Sequence, residues 1–213
     1  MNIKVRLTLL NFLEFAVWGA YLTSMGSFLA NIGLGSDIGL FYSVQGFVSL
    51  IMPALMGIVA DRFIQAQKVL SLCHLLAGTF MLLASFYCIN SEGNVHFSIL
   101  FSLYTASISF FMPTIALANS VSYNALDVAG LDAVKAFPPI RVFGTIGFII
   151  SMWIVDLSGW QTTSYQFLWS GILSILLALY SLNMPKCTIE TNTGNKTLAQ
   201  ALGLEAFRLF RNY

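Results

Sequence analysis

Long stretches of this chain carry no charge, and no other feature limits its fold so tightly. Phe15 to Ser36, Ile38 to Ala60, Val69 to Ser91, Gly93 to Leu126 and Leu157 to Pro185 hold no Asp, Glu, Lys or Arg, and Ala136 to Val155 is interrupted by Arg141 alone. Each run supplies the ~20 residues that a helix needs to cross the hydrocarbon core of a bilayer. Charged residues are 9% and hydrophobic residues 57% of the 213, whereas soluble domains carry about 25% charge. A soluble globule of this size must keep much of its surface wet, so a soluble enzyme is excluded. The net charge of +1 supplies no field for nucleic acid. The class is an integral membrane protein.

The runs predict an all-α bundle of six membrane-spanning helices, at about 6–30, 38–60, 69–89, 97–122, 137–156 and 164–183. The runs lack the ~10-residue alternation of barrel strands, which argues against a β-barrel. The basic residues orient the bundle. Lys4, Arg6, Arg62, Lys68, Lys135, Arg141, Lys186, Lys196, Arg208 and Arg211 all fall at one set of helix ends, and the connections near 31–37, 90–96 and 157–163 hold no Lys or Arg. By the positive-inside rule both termini are cytoplasmic. Asn11 and Glu14 interrupt the apolar N-terminal stretch, so helix 1 reads as a retained span and not as a cleaved signal.

Two domains are expected: the bundle at 1–185, and a cytoplasmic segment at 186–213 that joins a polar linker to an amphipathic stretch with apolar residues at 198, 202, 206, 209 and 210. The three cysteines imply no disulfide framework. No His/Cys/Asp/Glu cluster has metal-ligand spacing, so neither metal nor cofactor is expected. The sequence has no Gly-x-Ser-x-Gly turn and no His-Glu-x-x-His, so an intramembrane hydrolase is not expected either.

A charge inside a span costs at least ~2.5 kcal/mol and marks a functional site by default. Glu14 in helix 1 and Arg141 in helix 5 qualify, at similar depth from the cytoplasmic side. Arg141, Thr145 and Phe148 lie on one helical stripe, offering a guanidinium fork, a hydroxyl and an aromatic plate, which suits a ligand with hydroxyls and a flat ring. Gly144 and Gly147 beside the stripe permit close helix approach. Glu14, Trp18 and Tyr21 form a matching stripe on helix 1, and Gln45 and Asn119 add buried amides. Helix–helix packing and interhelical hydrogen bonding are the competing explanations for each. Glu14 and Arg141 are expected to share one polar cavity, directly or through water. His74 reads as an interfacial or packing residue.

Two motifs carry a resemblance. Gly57-Ile58-Val59-Ala60-Asp61-Arg62 resembles the loop between the second and third helices of the major facilitator superfamily, with Gly57 for close packing and Asp61 for capping and pairing. Phe137-Pro138-Pro139-Ile140-Arg141-Val142-Phe143-Gly144-Thr145-Ile146-Gly147-Phe148 resembles the fifth-helix signature of the bacterial nucleoside:proton symporters within it. Similarity continues through Trp18-Gly19, Met52-Pro53-Ala54-Leu55, Cys73-His74, Met112-Pro113-Thr114 and Asn119-Ser120-Val121-Ser122-Tyr123. The resemblance implies a multi-pass protein of the bacterial inner membrane, with nucleoside and proton as substrates and the nucleoside on Arg141, Thr145 and Phe148. Such proteins have twelve helices, so the chain resembles an N-terminal half whose partner is a second six-helix half or a second copy. A facilitator for a sugar or other polar metabolite, or a non-transporting membrane module, stands as the alternative reading.

Overall fold

The computed structural model describes residues 2–91 and 93–187, and the expected amphipathic stretch at 198–210 lies outside them. The described residues form seven α-helices: α1 Ile3–Gly19, α2 Met25–Asn31, α3 Ile38–Arg62, α4 Ala66–Asn90, α5 Phe97–Val128, α6 Ala133–Leu157 and α7 Tyr165–Ser181. Helices α4, α5 and α6, and α3 with the turn before it, are each long and apolar enough to cross a membrane. This is an all-helical, multi-pass membrane protein.

The expected first helix is not continuous: α1 ends at Gly19 and α2 begins at Met25. Cross-links to other helices explain the break. The Leu22 carbonyl accepts the Tyr42 hydroxyl at 2.8 Å, and the Ser24 hydroxyl donates to Gln166 Oε1 at 2.9 Å. The turn between α5 and α6 is also shorter than expected, 129–132 in place of 123–136. Gly130, at φ +68°, ends α5, with Gly130 N–H donating to the Asp127 carbonyl and Leu131 N–H to the Leu126 carbonyl. Those two bonds make a Schellman cap. Asp132 then caps α6 by accepting from the N–H groups of Val134 and Lys135 at 3.1 and 3.3 Å.

Small residues bring the helices together, as expected where lipid removes any hydrophobic drive between them. Gly147 of α6 lies against the Phe12 backbone of α1, and Gly19 of α1 against the Phe148 backbone, so α1 and α6 touch main chain to main chain. Gly78 and Gly171 do the same for α4 and α7. Serine hydroxyls donate across these contacts, Ser71 to the Ala178 carbonyl at 2.7 Å and Ser170 to the Val17 carbonyl at 2.9 Å. The core has three layers. Leu7, Leu10, Leu70, Leu117 and Leu177 fill the end near Ile3 and Cys187. Ala16, Val17, Ala77, Phe111 and Leu173 form the middle. Tyr21, Phe28, Phe41, Tyr104 and Phe167 fill the far end. Large apolar side chains are exposed on every long helix, but α3 and α6 are the least buried of the four longest, with Phe47, Leu50 and Ile51 outward on one and Val142 and Trp153 on the other.

Candidate functional site

A cavity of about 390 Å³ opens between α1, α3 and α5, bounded by Trp18, Gln45, Ser49, Pro53, Met112 and Asn119. Its size falls in the range of small-molecule sites. Its wall is apolar with a few polar groups. Gln45 Oε1 accepts the Tyr104 hydroxyl at 3.2 Å, which fixes the carboxamide. The Trp18 indole N–H is buried with no acceptor among the described residues. Trp18 is held by rings on three helices: Phe15 at 6.2 Å, Phe111 at 6.5 Å and Phe148, edge-on, at 6.2 Å.

Arg141 and Thr145 line a separate shallow groove of about 380 Å³ with Phe137, Pro138 and Val142. The Arg141 guanidinium lies 3.8 Å from the centre of the Phe15 ring, a cation–π contact that aims the fork along the α6 surface. Gly144 makes this possible, because a Cβ there would come within 2.7 Å of the Phe15 ring and 2.9 Å of the guanidinium. Thr145 is exposed and Phe148 half-buried. Phe148 meets the cavity wall through its contact with Trp18.

Other expected site residues sit elsewhere. Tyr21 does not face the cavity with Trp18, but is fully buried between Tyr104 and Phe167 at the far end of the core. The break after Gly19 turns it away from the Glu14–Trp18 stripe. Gly57 has no atom within 4 Å of where a Cβ would stand, so its expected close packing is not met by the described residues. Asp61 and Arg62 are exposed at the α3 C-terminus.

Glu14 and Arg141 form no ion pair among the described residues. Glu14 is 1% exposed, and its partners are His74 and Thr114: Oε2 lies 2.8 Å from His74 Nε2, and Oε1 accepts the Thr114 hydroxyl at 2.6 Å. His74 is itself fully buried, with Nδ1 3.1 Å from Ser174 Oγ. Its reading as an interfacial or packing residue is corrected accordingly. The sequence did hold a signal, since a mid-helix acid needs a partner and His74 lies inside the charge-free run Val69 to Ser91. Ser174, His74 and Glu14 have the connectivity of a nucleophilic triad. However, the space beside Ser174 is about 10 Å³, roughly room for one water, so no substrate could reach the hydroxyl.

Comparison with known proteins assigns the family. A model of the family described as "Nucleoside H+ symporter" matches residues 1–213. The chain is 41% identical over its full length to the xanthosine permease of Escherichia coli K12, covering 50% of that protein. It is 38% identical to the nucleoside permease NupG of the same strain, again covering 50%. A crystal structure of a NupG mutant superposes with a TM-score of 0.90 at 37% identity, covering 99% of this chain and 51% of that one. Unsubstituted NupG superposes at 0.85, with 51% of that chain covered. The chain spans about half the length of these relatives, which are transporters and not enzymes. It belongs to the nucleoside H+ symporter family.

Proposed function

We propose that the protein carrying this chain moves nucleosides inward with protons across the bacterial inner membrane by alternating access, and that this chain is its N-terminal half. Six spans follow if α1 and α2 are counted as one crossing, and the distribution of basic residues puts both termini in the cytoplasm. The observation that carries the reading is the edge-on contact of Phe148 with Trp18: it sets the α6 stripe of Arg141, Thr145 and Phe148 against the wall of a cavity that also holds Gln45 and Asn119. A nucleoside has a flat base and a sugar rich in hydroxyls. Phe148 is the stacking plate, the Arg141 fork takes sugar hydroxyls or a base carbonyl, and Thr145 is a hydrogen-bond partner. Asn119 and Gln45 add amide contacts.

The uncovered faces of α3 and α6 suit a second six-helix half, because alternating access rocks two halves about a central site. Gly57, with open space around it, belongs to the same surface as Asp61 and Arg62, a loop placed to contact that half. Self-association would supply the same surface from a second copy. The test is competition for binding to the purified membrane protein: labelled uridine displaced by nucleosides and not by hexoses supports the reading. Displacement by hexoses alone favours the facilitator alternative.

A further inference from the structure

Glu14 and His74 are buried ionisable groups that nucleoside recognition does not use. They belong to α1 and α4, and their remaining atoms are held by Thr114 of α5 and Ser174 of α7, so four helices meet at one pair. The contacts and the burial together constrain the protons. Ser174 Oγ has one proton, and its nearer partner is the His74 carbonyl, at 2.9 Å against 3.1 Å for Nδ1. When that proton goes to the carbonyl, Oγ accepts and Nδ1 carries a hydrogen. The 2.8 Å contact between Nε2 and Oε2 needs a hydrogen of its own, since two bare lone pairs would repel. With one proton on Nδ1 and one between Nε2 and Oε2, the pair is neutral overall. Removing the second leaves a lone negative charge where the side chains are 0% and 1% exposed, an arrangement that buried sites disfavour strongly.

We infer that Glu14 and His74 form a proton-binding site in this half of the protein, loaded in the structure described and emptied when the pair is opened to water. Unloading moves one proton from the Nε2–Oε2 contact to water, leaving a carboxylate and a neutral imidazole. The surroundings suit a switch. The His74 ring is 6.1 Å from Phe111, and Phe111 is 6.5 Å from Trp18, so one aromatic layer separates the pair from the cavity. The other ionisable groups in electrostatic reach of Glu14 are the Arg141 guanidinium on α6 and the Cys73 thiol on α4, while α5 and α7 present the hydroxyls of Thr114 and Ser174. Arg141 stabilises the carboxylate left on unloading. A substrate that engages Arg141 weakens that stabilisation and favours the loaded pair. Nucleoside and proton would then bind together, as symport requires.

The inference rests on the proposed symport reading, but its test does not. The whole chain in lipid nanodiscs is labelled with nitrogen-15 histidine, which reports on His74 and His96. His96 is exposed, and His96→Gln assigns its signals. At neutral pH the expected result is one of two equivalent patterns. Either both His74 ring nitrogens are protonated, or one is bare and an infrared carboxylic-acid band appears that Glu14→Gln abolishes. Raising the pH should remove a single proton from the pair. A bare ring nitrogen at neutral pH without such a band is the net-anionic pair and overturns the inference. That outcome is read on the unsubstituted pair and needs no variant that could misfold. Uridine uptake by the whole protein that carries this chain reports separately. No uptake with a loaded pair would sink the transport reading alone, and uptake with an anionic pair would sink the dyad alone.

Discussion

Arg141 shows what one residue type contributes. Its guanidinium is placed by the face of Phe15, which holds a flat cation better than a point charge. Arg141→Lys should fold normally and lose most nucleoside binding, about tenfold or more, because an ammonium cannot reproduce the planar fork. Equal uridine affinity in the two forms would take Arg141 out of the site.

Periodicity alone makes the Arg141, Thr145 and Phe148 stripe legible in the sequence, because i, i+4 and i+7 positions share a face whatever the helix packs against. The partner of Glu14 is not legible in that way. Depth along the helices puts Arg141 level with it, but rotation about the helix axes decides which side chains meet, and rotation is set by the glycine contacts of α1 with α6. Those contacts turn Glu14 toward α4 and leave Arg141 on the Phe15 ring. Tyr21 departs from the stripe of Glu14 and Trp18 for a different reason, the break after Gly19.

At the scale of helices, the charge-free runs mark the positions of the later helices closely, and the caps move the boundaries. Gly130 and Asp132 put the α5–α6 turn at 129–132, which hydropathy cannot detect because the residues after 122 are themselves largely apolar. The α1–α6 contact should be the least forgiving of substitution. Gly147→Ala drives a methyl into the Phe12 backbone, and a cost of about 1–3 kcal/mol is expected. Gly46→Ala, with open space at the Cβ, should change stability little or raise it slightly through helix propensity. Detergent melting curves that rank the two in the reverse order would refute this account of the packing. Topology is checked by single cysteines in a background free of the native three. A cysteine at Ile64, in the α3–α4 turn, should label only from the cytoplasmic side, and one at Asn94 only from outside. The reverse pattern would invert the orientation and with it every functional assignment.

At the scale of the molecule, the bundle is covered unevenly. Helices α4 and α7 pack closely on their neighbours through Gly78, Gly171 and the serine hydroxyls, while α3 and α6 present Phe47, Leu50, Val142 and Trp153 outward. Lipid can cover such residues, but the cavity beside Trp18 and the groove beside Arg141 open on these same elements, where a second half would complete them. The 213 residues alone are therefore expected to bind a nucleoside weakly, and not to concentrate it, because one wall cannot alternate its access. The central claim is that this bundle contributes the nucleoside site of a proton-driven transporter, with Arg141 as its anchor. It is tested most directly by labelled uridine uptake into proteoliposomes containing the whole protein that carries this chain, under an imposed inward proton gradient. The account predicts accumulation that an uncoupler abolishes and that Arg141→Ala reduces to background. Uptake that ignores the gradient, or that survives Arg141→Ala unchanged, would contradict it.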